Sequence, residues 1–448
     1  MNAKENETEN LRSRFSRLAI VNILSNLMVP LAGLVDTAFL GHLTEIRHLA
    51  GVALATILFN YIYRPLNFLR MGTTGPTAQA EAISDSDTVF LIAIRNGLIA
   101  LVLGSLILLF QYPLREVGFS LLSATPEVQL SGRAYYNTRI WDALPTLLNF
   151  VLIGWFLGRE QSFRVLILSF IASGANVILD YFLIVRWGWD SAGAGIATAA
   201  SQYLSLLAGL IFIAFDLSLN QWRAIRDRIF DLDAFRAIFK LNGNLWIRSL
   251  VFLSVYAFFT DLSASFGTVI LATNSILLQI VILAAYFIDG LAFATESLAG
   301  SFIGAKMREK LIPLLKLASG ISLVLGLTFA VVFVLFPQTL LGLLTNHLEV
   351  VERAVRYIIW LLPVLGFGSL AFILDGYFIG LAEGSTLRNS MLIAAVVGFA
   401  PLAIASWQLE ETQILWAAMS LFMAARTVTL ALQIPGTLGE KEVKSQQI

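Results

Sequence analysis

Two aspartates, an asparagine, a threonine and a tyrosine lie in apolar stretches where polar side chains are costly. Asp36 sits in Pro30-Leu-Ala-Gly-Leu-Val-Asp36-Thr-Ala-Phe-Leu-Gly41, within an almost unbroken apolar run from Leu18 to Leu40. Asp180 closes Ala175-Asn176-Val-Ile-Leu-Asp180, and Thr198 lies in Gly195-Ile-Ala-Thr198-Ala-Ala-Ser201-Gln202. Tyr135 stands near the start of another apolar run. A carboxylate in hydrocarbon costs roughly 2.5–3.5 kcal/mol on insertion scales, so it faces a bundle interior or a wet cavity and is a functional candidate by default. Asn176 and Asp180 are four residues apart, which puts them on one helix face. Two carboxylates brought together in a low dielectric repel, and such a pair is suited to load and unload one proton. The oxygens of Asp36, Asn176, Asp180 and Thr198 equally suit a small hard cation such as Na⁺. Either way, occupancy changes the charge of the site and biases helix packing. Taken alone, Thr198 and Tyr135 read as well as polar residues serving backbone near helix ends.

The elements that must position these residues are membrane-spanning helices. The chain has 448 residues, of which 57% are hydrophobic and only 13% charged, with a mean hydropathy of +0.78. Apolar runs of about twenty residues recur along its length, the signature of an all-α polytopic membrane protein. The runs are continuous rather than alternating, which excludes a β-barrel. Twelve spans are expected, at about 18–41, 48–80, 88–110, 133–157, 163–186, 192–216, 240–265, 268–303, 313–336, 353–380, 389–407 and 413–434. The second and eighth are long, and each carries glycines or proline (Gly72, Gly75 and Pro76; Gly290, Gly300 and Gly304), so each is expected to bend or to extend beyond the bilayer.

Lys and Arg set the orientation. With the N-terminus inside, the inner segments hold Lys4, Arg12, Arg14, Arg17, Arg159, Arg164, the cluster from Arg223 to Lys240, Lys306, Arg308, Lys310, Arg388, Lys441 and Lys444. The outer loops hold fewer: Arg47, Arg115, Arg133, Arg186, Arg353 and Arg356. Both termini are therefore read as cytoplasmic. In this topology Asp36, Asp180, Thr198 and Tyr135 all lie in the outer leaflet, Asp36 roughly 9 Å from the outer end of its helix.

The basic stretch after the sixth span divides the chain into a cytoplasmic tail (1–17), a first lobe (18–216), a cytoplasmic linker (217–239), a second lobe (240–435) and a cytoplasmic C-terminal tail (436–448). The two lobes resemble each other. Phe150-Val-Leu-Ile-Gly154-Trp-Phe-Leu-Gly158 aligns with Phe372-Ile-Leu-Asp-Gly376-Tyr-Phe-Ile-Gly380 at an offset of 222 residues, and Leu54-Ala-Thr56 aligns with Leu271-Ala-Thr273 at 217. Similar offsets in corresponding spans predict a parallel six-plus-six repeat, an architecture of secondary transporters that work by rocking of halves.

Four segments, in order, carry a family resemblance. They are Pro30-Leu-x-x-Leu-Val-Asp36-Thr-Ala-x-Leu-Gly41-His42-Leu, Phe68-Leu-Arg70-Met-Gly72-Thr-Thr-Gly75-x-x-Ala-Gln79-Ala, Asn149-x-x-Leu-x-Gly154-Trp-Phe-Leu-Gly158-Arg159, and Asp289-Gly290-x-Ala-x-Ala-x-Glu296-x-x-x-Gly300. Together they resemble the multidrug and toxic compound extrusion (MATE) family, in its DinF-like branch. The resemblance implies two six-helix lobes in a V, and an inner-membrane efflux antiporter acting as a monomer in the lipid bilayer. It implies small organic substrates, cationic or amphipathic, exported in exchange for H⁺ or Na⁺, with no other cofactor. It also implies a cation site at Asp36, Asn176, Asp180 and Thr198, with Tyr135 as the family's fourth-helix tyrosine.

Other charges lie in the spans. Asp289, Arg248 and Asp375 are secondary candidates in the second lobe: Asp289 as a second proton site, as a cavity-lining group, or as the partner of Arg248 at a bend. Asp375 and Glu296, nearer the inner surface, read as packing or gate residues. Arg70, Arg139 and Asp142 read as ion pairs within the first lobe. Phe59, Tyr61, Tyr286 and Phe287 are candidates for a cavity wall facing planar cations. The alternative reading is a lipid-linked precursor flippase, which would want a strongly basic cavity rather than these acids. Several classes are disfavoured. The net charge of zero argues against nucleic acid, and the absence of cysteine removes thiol chemistry. No H-E-x-x-H, G-x-S-x-G or phosphate-loop motif supports an enzyme.

Overall fold

Helix is the only backbone solution open to a chain this apolar, because every buried N–H and C=O must be paired within its own segment. The computed structural model describes residues 3–439, with side chains from Asn10 onward apart from 219 and 220. No strand occurs among the described residues. Twelve helical stretches are long and apolar enough to cross a bilayer. They are Asn10–Gly41, Ile46–Ala82, Ser86–Leu109, Pro126–Gly158, Ser162–Arg186, Asp190–Asp216, Leu232–Ser265, Thr268–Gly304, Arg308–Leu335, Leu348–Gly380, Gly384–Leu409 and Thr412–Leu438. All twelve expected spans are present, with ends moved by a few residues.

Two units cluster separately. One is Leu24–Ile238. The other comprises the described residues of Met1–Ile23 and Phe239–Gln447. The first span therefore contributes to both. Its helix is continuous from Ala3 to Gly41, so no break falls at the expected tail boundary of 18. In the second unit, Arg14 donates to Ser301 Oγ at 3.3 Å and lies over the Phe302 ring. Ile23 meets Gly290 so closely that a Cβ there would overlap its backbone nitrogen. Of the expected C-terminal tail, Ile434–Leu438 is a short helix, and residues 440–448, with Lys441 and Lys444, lie outside the described residues.

The two long spans differ in how they meet the expectation of a bend or an extension. The second span breaks at a 3₁₀ turn, Arg64–Asn67, which carries Pro65 in its first turn. A proline is tolerated there because the N–H it lacks would have no partner anyway. Pro76 lies inside the regular helix Phe68–Ala82. The eighth span runs unbroken through Gly290 and Gly300. At ~1.5 Å per residue its 37 residues reach about 55 Å, so it exceeds a ~30 Å hydrocarbon layer by tilting or protruding rather than by bending.

The repeat is visible as one packing joint built twice. In the first unit, a Cβ on Gly154 would overlap the carbonyl oxygen of Arg70, and one on Gly158 that of Thr74. In the second unit, Gly376 meets the carbonyl of Ala292 and Gly380 that of Glu296. Each of these four positions and its counterpart differ by 222 residues. A third contact obeys the same offset: Gly104 packs on Ala143 O, and Gly326 on Leu365 O. Small residues are what allow membrane helices to approach at backbone distance. The fifth and eleventh spans each contain a π turn, Tyr181–Arg186 at the end of the fifth and Ala394–Phe399 within the eleventh, out of the 222-residue register.

A buried charged triad staples the second unit. Asp375 on the tenth span accepts from Arg248 on the seventh and from Arg426 on the twelfth, all through Oδ2. Arg426 is fully buried and packs against the rings of Phe252, Phe372 and Phe422 at 5.1, 5.3 and 5.6 Å. Arg248 is thus bound to Asp375, its fellow secondary candidate.

Two outcomes follow for stability. Gly380→Ala and Gly154→Ala should each cost about 1–3 kcal/mol through overpacking. Gly243→Ala, where a Cβ meets nothing within 4 Å, should be neutral or should gain about 0.5–1 kcal/mol of helix propensity. Thermal unfolding in detergent checks both, and equal midpoints for Gly380→Ala and Gly243→Ala would contradict the backbone contact. Asp375→Asn should cost about 3–5 kcal/mol by stranding two guanidinium groups, while replacing all three members with Met or Leu should recover most of that loss. The same melts decide it.

Candidate cation-coupling site

Asp36 and Asp180 meet in the first unit. Their carboxyl groups approach closely enough to share a hydrogen bond, which requires a proton on one of them. Asp180 is fully buried and Asp36 half-buried. Neither oxygen of Asp180, nor Oδ1 of Asp36, has a hydrogen-bond donor among the described residues. Carboxylate oxygens that are buried without donors are expensive, and a proton or a cation is what relieves them.

Local structure explains the meeting. Asp180 is the last residue of the regular helix Ser162–Asp180, and the π turn Tyr181–Arg186 follows at once. Such single-turn interruptions re-aim side chains and recur at functional sites. The ring of Tyr181 lies 6.4 Å from that of Phe39, three residues beyond Asp36, so the outer ends of the first and fifth spans touch beside the carboxyl pair. Asn176, one turn before Asp180 on the same face, is buried, and its Nδ2 has no partner among the described residues. The amide is therefore available as a donor to a carboxylate, or as an oxygen ligand through Oδ1.

The other two predicted members are placed differently. Thr198 is half-buried, and its hydroxyl donates to the Ala194 carbonyl at 2.9 Å in its own helix, which leaves only its lone pairs for an ion. Tyr135 is buried, and its hydroxyl accepts from Arg139 Nη1 at 2.7 Å. The structure thus ties Tyr135 to Arg139.

Arg139 belongs to a buried polar chain. Its Nε donates to Asp142 Oδ2 at 3.3 Å, and the Tyr63 hydroxyl donates to Asp142 Oδ1. The guanidinium stacks over Phe59, 4.4 Å from the ring centroid. Phe59 itself is 1% exposed and packs on Tyr63, Tyr135 and Tyr136, so it builds this cluster and is not a cavity wall. Tyr61 is half exposed, and Phe287 packs on Phe329. The spacing of Arg139 and Asp142 made the ion pair legible in the sequence. Tyr63 was missed, and its one local signal is the Arg64-Pro65 break that follows it. In the second unit, Asp375 and Arg248 belong to the staple described above, Glu296 is buried, and Asp289 is half-buried on the eighth span. No group of His, Cys, Asp and Glu among the described residues forms a multidentate metal cluster.

Comparison with known proteins agrees with this architecture. The MatE family model matches twice, over residues 22–182 and 245–404, one match in each half and again about 222 residues apart. The chain is 33% identical to DNA damage-inducible protein F of Escherichia coli K12 over 92% of this chain and 90% of that one. It is 22% identical to a probable multidrug resistance protein NorM of Thermotoga maritima, over 77% and 75% of the two chains. The crystal structure of the Vibrio cholerae MATE transporter VcmN in the bent form superposes with a TM-score of 0.84 at 19% identity, covering 97% of this chain and 98% of that one. A twelve-helix membrane protein with a duplicated lobe, matched in both halves by the same family, belongs to the MatE (multidrug and toxic compound extrusion) family of transporters.

Proposed function

We propose that this protein is a proton-coupled efflux antiporter whose coupling site is the Asp36–Asp180 pair. The observation that carries the reading is the apposition of these carboxyl groups, with both oxygens of the buried Asp180 and Oδ1 of Asp36 lacking donors among the described residues. Such a pair is most stable with one shared proton. When the proton leaves, the pair carries two negative charges in a low dielectric and the outer ends of the first and fifth spans are pushed apart. That gives ion occupancy a differential effect on helix packing, which coupling to transport demands. Alternating access then follows from movement of one lobe against the other.

The substrate is a small organic molecule of cationic or amphipathic character, in keeping with the multidrug resistance relatives. The excess of Lys and Arg in the segments placed inside supports an inner-membrane protein with both termini cytoplasmic. A second reading uses Na⁺ at Asp36, Asn176, Asp180 and Thr198. It is favoured by the open lone pairs of Thr198 and by the unpartnered state of Asn176 Nδ2.

Transport in proteoliposomes under separately imposed pH and Na⁺ gradients tests both readings. A pH gradient alone should drive export. Asp36→Asn and Asp180→Asn should each reduce that export by at least tenfold while the protein stays folded. Undiminished pH-driven export in Asp36→Asn would sink the coupling assignment. Export driven only by Na⁺ would replace the proton with the metal ion.

A further inference from the structure

We propose that the second unit binds an anionic phospholipid in a groove between the start of the first helix and the ninth span, with Arg12 and Lys316 on the headgroup phosphate. The groove holds about 410 Å³ and is lined by Leu11 and Arg12 of the first helix and by one face of the ninth span, from Pro313 to Ile321. On that face Pro313, Lys316, Leu317 and Gly320 follow at intervals of three and four residues, the spacing of one helix side. A Cβ at Gly320 would meet nothing within 4 Å, so the floor of the groove is open. Both walls belong to the same unit. The first helix is fixed there by the buried Phe15 and Leu18 and by Arg14, which donates to Ser301 Oγ.

The charge of the groove is unbalanced. Arg12 and Lys316 are its charged lining residues, and no acid stands with them among the described residues of the wall. Neither cation has a hydrogen-bond or ion-pair partner among the described residues. Two nearby arginines are already engaged, Arg14 by Ser301 and Arg308 by the carbonyls of Thr437 and Gly439. Lys316 lies past the second turn of the span Arg308–Leu335, in Leu311-Ile-Pro-Leu-Leu-Lys316-Leu-Ala. A lysine at that depth is costly unless its stem runs along apolar surface and its ammonium reaches the headgroups. Arg12 stands at the start of the span Asn10–Gly41. Both spans run outward from the side on which Lys and Arg predominate.

The shape of the site selects its occupant. The wall beside the cations is apolar, formed by Leu11, Leu317 and Ile321, so the ligand that fills the groove carries an acyl chain as well as an anionic head. A free phosphate would meet the two cations and leave that wall bare. Basic pockets between membrane helices on the cytoplasmic side are places where acidic headgroups bind. The fold itself does not call for the lysine. At the 222-residue offset that Gly104 and Gly326 set for the third and ninth spans, Lys316 falls on Ile94. One half of the repeat therefore packs this span with an apolar side chain where the other presents a charge.

The chain contains no cysteine, so Val324→Cys, at an exposed position one turn beyond Gly320, carries a single fluorophore beside the groove. The full chain is placed in nanodiscs of phosphatidylcholine, and phosphatidylglycerol or phosphatidylcholine with dibrominated chains is titrated in as quencher. Half-maximal quenching should need about fivefold less of the brominated phosphatidylglycerol, the factor that about one cation contributes at an anionic headgroup. Combining Arg12→Gln with Lys316→Gln should bring the two lipids level, while Lys316→Arg should keep the preference. Arg17→Gln, which removes an exposed cation of the first helix outside the groove, should keep it too. Added inorganic phosphate should not compete. Equal quenching by the two lipids in the parent chain overturns the proposal, as does a preference that survives the double substitution. A loss in Arg17→Gln as large as in Lys316→Gln also overturns it, by making the effect one of general charge. Loss of the preference on adding inorganic phosphate overturns the lipid in favour of a free anion. If the double variant fails to fold, Lys316→Gln alone decides, and an unchanged preference in it overturns the assignment.

Discussion

Charge buried in a low-dielectric interior has to be balanced by other groups of the protein, and the two units balance it differently. In the second unit, two guanidinium groups share one carboxylate, and aromatic faces pack against the cation. The triad joins three spans and carries its excess charge permanently. In the first unit, two carboxyl groups face each other and a single arginine stands to one side, already engaged by Asp142. That arrangement leaves the oxygens of Asp180 and Oδ1 of Asp36 without donors among the described residues. The two units thus use the same residue types, and they differ in whether the balance is closed within the chain.

Duplication makes the contrast sharper. The glycine contacts at Gly154 and Gly158 recur at Gly376 and Gly380 with the same carbonyl partners in register. Side chains at those joints are constrained by backbone approach, so they change together or not at all. Positions more than three turns earlier on the same span carry no such constraint. There the first half holds Arg139 and Asp142, and the second half holds Leu361 and Val364. The shared scaffold therefore separates packing positions from positions free to acquire chemistry.

The first helix links the two regimes. Up to Ile23 it clusters with the second unit, fixed by the close approach at Gly290, and from Leu24 it clusters with the first unit and carries Asp36. One continuous helix thus has one end in a tightly packed joint and carries a buried-site carboxylate, Asp36, near the other.

How much of this was legible in the sequence depends on the range of the interaction. Span number and helical character follow from runs of apolar residues, which act locally, and all twelve were read correctly. The repeat followed from matching glycine motifs, because backbone approach admits no other residue. In the second span the interruption falls at Pro65 and not at Pro76, because a proline's effect depends on which carbonyl it deprives: Pro76 is absorbed inside a regular helix, while Pro65 opens a new turn. That Asp375 would accept from both Arg248 and Arg426 was not legible, since spacing in the chain says nothing about which of three helices faces another. By itself the sequence determined a duplicated twelve-span helical protein with costly acids in its first half, through hydrophobic periodicity and the energetics of burial. Only tertiary structure decided that Asp36 meets Asp180 and that Tyr63 holds Asp142, because each of those contacts joins residues whose separation is set by helix packing and not by the local chain.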